Sequence, residues 1–147
     1  MVRVERSALM AFESWQLLAL VQDVARYPEF MPGCIAATVT PMDGERVQAG
    51  LRFRFAGLSE SFLTENVTTP MHEGSTGLKM QLLQGPFKSL VGEWRFQSLG
   101  QGACKVSLTV ELDWGVLSLG RLLGPQLDRA ISTVMQAFKQ RASQLYA

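Results

Sequence analysis

The groups in this 147-residue chain with the chemistry of a catalyst or metal site are one histidine, His72, two cysteines, Cys34 and Cys104, and thirteen acidic residues. His72 falls in a turn with Glu73 and Gly74, a solvated position without the cleft and partner that acid–base work requires. Cys34 follows Pro32-Gly33 and has no basic neighbour to lower its pKa, so it reads as an inert thiol. The two cysteines are far apart, form no CxxC unit and have no histidine nearby, which argues against a disulfide framework and against zinc. Glu60 and Glu65 have opposite strand parity and do not form a carboxylate pair on one face. Spacing leaves a Ser/His/Asp arrangement open, but there is no nucleophile elbow, phosphate loop or nucleotide fingerprint. With no strong catalytic constellation, the chain reads as a binder rather than an enzyme.

The aromatic residues carry more information. Phe53, Phe55, Trp94, Phe96 and Trp114 fall on three strand-like segments, and Phe87 falls in a loop. Large aromatics dominate ordinary cores, and they also line apolar ligand pockets. Composition bounds the partner. The net charge is +1, with 18% charged and 47% hydrophobic residues, so bulk-charge binding to nucleic acid, DNA in particular, is not expected. Met1 to Phe12 lacks the apolar run of a secretory signal. No stretch approaches the ~18 uninterrupted apolar residues of a membrane span. A single domain, 1–147, soluble in a reducing cytoplasm, is the expectation.

Periodicity supplies the elements that must position these residues. Val2 to Leu9 suggests a first strand. Ser14 can cap a helix whose apolar face is Leu17, Leu18, Val21, Val24 and Ala25. Tyr27-Pro28 and Met31-Pro32-Gly33 then predict a compact, partly apolar loop. From Cys34 to Trp114 the period is two, broken by turns at Asp43-Gly44, Ala56-Gly57, His72 to Gly74, Gly85-Pro86 and Gly100 to Gly102. Arg46, Arg52 and Arg54 share the polar face of one strand. From Pro125 to Tyr146, Leu127, Ile131, Val134, Met135, Phe138, Ala142 and Leu145 repeat at helical spacing, with Pro125 in the first turn. Leu119, Leu122 and Leu123 are expected to form a separate turn before it. The order predicts an α+β fold: a curved antiparallel sheet of six or seven strands around a long C-terminal helix. Such a sheet is wider than a helix of ~10–12 Å. The room between them is either filled by large side chains or forms a cavity.

Three stretches resemble one family: Asp23-Val-Ala-Arg-Tyr-Pro-Glu-Phe-Met-Pro-Gly-Cys34; Gly85-Pro-Phe-Lys-Ser-Leu90 with Gly92-Glu-Trp-Arg-Phe96; and Met135-Gln-Ala-Phe-Lys-Gln-Arg-Ala142. They are similar to the coenzyme Q-binding START-like family, a polyketide cyclase/dehydrase-like group with the helix-grip fold. Phe62-Leu-Thr-Glu65 departs from the family's usual arginine after Phe-Thr-Thr or Phe-Thr-Ser, so no basic contact is carried over there.

The resemblance implies a cavity for an apolar ligand, a polyprenyl quinone such as ubiquinone, bound as cargo rather than cofactor and delivered for respiration. The lining it implies is Phe53, Phe55, Met80, Leu82, Phe87, Trp94, Phe96, Leu108, Leu112 and Trp114 from the sheet side, with Leu127, Ile131 and Met135 from the helix. Trp94, Ser59, Ser61, Thr64 and Tyr27 are open candidates for donors to a quinone carbonyl. Tyr27, Phe30, Met31, Leu119, Leu122 and Leu123 are the expected entrance, an apolar lip making weak peripheral contact with a membrane. Two other activities come with the same resemblance. The ribosome association toxin branch implies modulation of subunit joining through the large ribosomal subunit. The cyclase name implies polyketide aromatase/cyclase chemistry, which the residues do not support. Fold alone does not choose among them.

Overall fold

The computed structural model describes residues 2–55, 58–70, 74–113, 115 and 120–146; the side chains of Phe55, Leu58 and residues 120–124 lie outside that description. Strand β1 (Val2–Met10) leads into helix α1 (Ser14–Gln22), a 3₁₀ helix (Val24–Glu29), strands β2 (Cys34–Pro41), β3 (Arg46–Phe55), β4 (Leu58–Pro70), β5 (Ser75–Gln84), β6 (Ser89–Ser98) and β7 (Cys104–Asp113), then helix α2 (Gly120–Tyr146). The seven strands form one sheet in the order β1-β7-β6-β5-β4-β3-β2, and every neighbouring pair is antiparallel. Sheet and long helix together make the helix-grip, START-like fold.

Register determines which side chains face the helix. One row runs Val47, Asn66, Met80, Gly92, Val110, Val4 across six strands. With the alternation of a pleated strand, that row assigns every other residue of each strand to the inner face. Over most of β6 and β7 this face is closed. Trp94, Phe96, Val106, Leu108 and Leu112 are each 3% exposed or less. Each such aliphatic or aromatic side chain contributes ~1.5–3 kcal/mol relative to exposure.

Helix α2 lies over that closed side, packing against β1, β7 and α1. Arg6, on the inner face of β1, pairs with Asp128 and donates from Nε to the Ser132 hydroxyl at 3.3 Å. At the far end the Tyr146 hydroxyl donates to the Gln16 carbonyl at 3.4 Å. Midway, Phe138 meets Trp94 edge-on at 5.3 Å.

Several local expectations are corrected. Glu13, not Ser14, is the N-cap of α1; its backbone is extended and its N–H donates to Gln16 Oε1 at 2.9 Å. Leu20 replaces Ala25 on the buried face of α1, and Ala25 is exposed. Tyr27 to Glu29 is not loop but the end of the 3₁₀ helix, with Pro28 inside it. A tight i→i+3 turn tolerates the missing proline donor where a longer α-helix would not. No separate turn precedes α2 at Gly120 to Gly124; these residues already belong to the helix, and Pro125 sits inside it. Leu145 is 52% exposed rather than packed.

Candidate functional site: the half-buried apolar face of β3–β5

On β3, β4 and β5 the inner face is not closed in the same way. Leu51, Phe53, Phe62, Met80 and Leu82 point inward yet are only half-buried. The stacked rings of Phe53 and Phe62 stand 5.7 Å apart with 5° between their planes. Phe87 reaches them from the β5–β6 loop, 6.3 Å from Phe62. The loop can pass over Phe62 because position 85 is glycine: a Cβ there would stand 2.9 Å from the Phe62 Cβ. The Lys88 N–H, bonded to the Asp113 carbonyl at 2.9 Å, ties the loop to β7. A second glycine makes room deeper in. A Cβ on Gly92 would meet the Met80 terminal methyl at 2.5 Å. The helix contributes half-buried Leu127 and, more deeply placed, Ile131 and Met135.

Polar groups are few on this wall. Thr64 and Asn66 face inward from β4 at 3% and 6% exposure. The Thr64 hydroxyl donates to Asn66 Oδ1 at 2.8 Å. Buried polar groups of this kind must be satisfied or they are costly. Among the described residues no three His, Cys, Asp or Glu side chains gather as a metal site.

The structure divides the expected lining. Phe53, Met80, Leu82, Phe87 and Leu127 are half-buried and keep some open surface. Trp94, Phe96, Leu108 and Leu112 face the same side but are covered by protein atoms, so they form the floor of the core rather than a contact surface. Trp94 is held between Phe96 at 5.9 Å and Phe138. Trp114, Leu119 and His72 lie outside the described residues, as do the side chains of Phe55, Leu122 and Leu123.

The expected entrance is corrected at two positions. Tyr27 is 8% and Met31 5% exposed. The Tyr27 hydroxyl donates to the Val21 carbonyl, and burial, followed by Cys34 and Asp23, pushes its pKa far up. Its donor is spent within the core and is not offered to a ligand. Phe30 alone of the three stays half-buried, 5.4 Å from Phe138 and under the Arg141 guanidinium at 5.1 Å.

Two of the donor candidates are corrected as well. Ser59 and Ser61 pair in register with Arg54 and Arg52 on the outer face, and Ser59 accepts from Arg52 Nε at 3.0 Å. Thr64 is the β4 candidate on the inner face; it is 3% exposed and its hydroxyl donates to Asn66. Glu65 is on the outer face near Arg46 at 3.6 Å, whereas Glu60 shares the Phe53 row, as their parity predicts. Both cysteines are buried and unpaired, and burial raises their pKa values.

Phe62 and Asn66 were not among the expected site residues. Adjacent pairs, Phe62-Leu63 and Asn66-Val67, blur the alternation of β4. The signal that resolves them is register: Leu51 opposes Phe62, and Val47 opposes Asn66.

No helix among the described residues is long and apolar enough to cross a membrane. The chain is 38% identical over 146 residues to the ribosome association toxin RatA of Vibrio cholerae, covering 99% of both proteins. It is 27% identical to the mitochondrial coenzyme Q-binding protein coq10 of Schizosaccharomyces pombe, covering 92% of this chain and 84% of that one. A START superfamily protein from Mycobacterium smegmatis has a similar structure, with a TM-score of 0.84, 18% identity, and coverage of 97% and 98%. The family model for polyketide cyclase / dehydrase and lipid transport matches residues 11–139. By sequence, this chain belongs to the polyketide cyclase/dehydrase and lipid transport family.

Proposed function

We propose that this protein binds an apolar lipid, a polyprenyl quinone such as ubiquinone, in an internal chamber against the inner face of β3–β5 without transforming it, and supports its delivery for respiration. The observation that carries the reading is the half-buried apolar strip on the inner face of β3–β5, made by Leu51, Phe53, Phe62, Met80 and Leu82. Apolar surface of that kind is stabilised by an apolar occupant. The name of the fission yeast relative supports a quinone as that occupant. Collection from a bilayer needs only shallow contact, for which Phe30 and the helix start at Leu122 and Leu123 are the proposed rim. The test is uptake from vesicles. Wild-type protein removes ubiquinone from liposomes at a rate little affected by anionic lipid. Protein that leaves all the quinone in the vesicles overturns the reading.

A second reading has its own support, the 38% identity to a ribosome association toxin along the whole chain. Arg52 and Arg54 stand exposed on the outer face of β3, opposite the chamber, and are the proposed contacts to the large ribosomal subunit. Salt-sensitive co-sedimentation with that subunit, lost in the double variant Arg52→Glu/Arg54→Glu, tests it. Co-sedimentation that survives the double variant removes these contacts.

A further inference from the structure

A small pocket opens between the C-terminal end of α1 and the inner face of the sheet, with a volume of about 170 Å³. Its walls include Gln22, Val47, Asn66, Thr68 and Leu78, and Glu45 from the β2–β3 turn. Two of the polar walls already satisfy each other, since Gln22 Nε2 donates to the Thr68 hydroxyl at 3.0 Å. Asn66 is different. Its Oδ1 accepts from Thr64, which fixes the amide plane and leaves the Nδ2 donors directed away from that bond. Nδ2 has no hydrogen-bond partner among the described residues, yet it is not one of the side-chain atoms sealed from solvent. A side chain 94% buried (6% exposed) thus holds two unused N–H donors at the wall of a cavity.

We infer that this pocket takes the polar end of the lipid, and that Asn66 Nδ2 donates to a carbonyl or ether oxygen of a neutral ring. This rests on the lipid-binding reading and adds the orientation and chemical class of the cargo. The volume suits one six-membered ring, since a cavity of roughly 150 Å³ takes up benzene. The charge pattern excludes an anionic head. Among the described residues the pocket has no lysine, arginine or histidine, and its one charged wall residue is Glu45. A carboxylate or phosphate there would lose its hydration and gain no cation. The tail then follows β4 towards Phe62, four residues and ~13 Å from Asn66. A neutral quinone fits this arrangement; a fatty acid or phospholipid does not.

The test uses three probes: ubiquinone with two isoprene units, squalene as a prenyl hydrocarbon without polar atoms, and oleate. Wild-type protein binds this ubiquinone at least tenfold more tightly than oleate. Asn66→Leu weakens ubiquinone binding about tenfold and leaves squalene binding unchanged. Infrared spectra of ubiquinone bound to wild-type protein show a carbonyl band shifted to lower frequency by hydrogen bonding, so the assignment is decided even if the variant does not fold. An unshifted band, equal affinity in Asn66→Leu, or tighter binding of oleate overturns the inference and leaves the chamber intact. Failure of wild-type protein to bind either ubiquinone or squalene overturns the chamber as well.

Discussion

Phe53 and Phe62 stack face to face across β3 and β4, 5.7 Å apart, with neither ring fully covered by the rest of the protein. An offset-stacked pair is worth ~0.5–1.5 kcal/mol beyond its buried area, which holds the rings in place. Their remaining surface is available to an apolar guest. Phe62→Ala is therefore expected to lower quinone affinity about tenfold. Its stability cost should stay below the ~3–5 kcal/mol of a fully buried aromatic. Quinone titration together with urea unfolding checks both halves. Unchanged affinity in a folded variant contradicts the assignment.

Trp94 is the counterpart on the closed side. At 3% exposure, packed between Phe96 and Phe138, it has no surface left for a ligand. Trp94→Ala should cost ~3–5 kcal/mol of stability through the cavity it creates. Affinity lost by that variant should track the loss of fold. A variant with wild-type unfolding midpoint and abolished quinone binding would return Trp94 to the binding surface.

The missing Cβ at Gly92 makes room for the Met80 side chain. An alanine Cβ would lie 2.5 Å from the Met80 methyl, and a flexible thioether side chain can swing away from it. Its escape is into the chamber, beside Asn66 in register. Gly92→Val should shift the unfolding midpoint only slightly and reduce the affinity for a ring-bearing quinone several-fold. A double variant, Gly92→Val/Met80→Ala, should restore binding. Failure of that rescue would show that the two positions do not share the space.

Alkaline pH should weaken the fold. Burial raises the pKa values of Tyr27, Cys34 and Cys104, so the folded chain keeps protons that the unfolded chain releases. Below the ordinary thiol value of 9.0 these groups are protonated in both states and stability does not depend on them. As pH climbs past it the unfolded chain binds fewer protons, and stability falls. Urea midpoints measured from pH 7 to 11 should be level and then decline. The Tyr27→Phe variant should show a shallower decline above the ordinary tyrosine value of 10.0. A midpoint that rises above pH 9 contradicts the burial of these groups.

Much of the architecture was legible in the sequence because strict alternation leaves few choices. In β7, Val106, Leu108, Val110 and Leu112 alternate without exception, and all four are buried. The site was harder to read. Trp94 and Phe53 look alike in sequence, both being aromatic residues on the apolar face of a strand. What separates them among the described residues is the position of α2, which packs against β1, β7 and α1 and sets Phe138 against Trp94. Tyr27 resembled a mobile rim residue because Pro28 follows it. Its burial comes from a hydrogen bond to Val21 and from Phe138, more than a hundred residues away in sequence. Asn66 carries no local signal. Only the register that turns it inward and the Thr64 hydroxyl that fixes its amide distinguish it from an ordinary strand asparagine.

Native mass spectrometry of the protein purified from its own host, followed by lipid extraction, tests the central claim most directly. The chamber beside Phe53, Phe62 and Phe87 predicts a complex with one neutral prenyl lipid, recovered on extraction as a quinone. Protein that arrives without lipid, and remains so after incubation with ubiquinone-loaded vesicles, would contradict it.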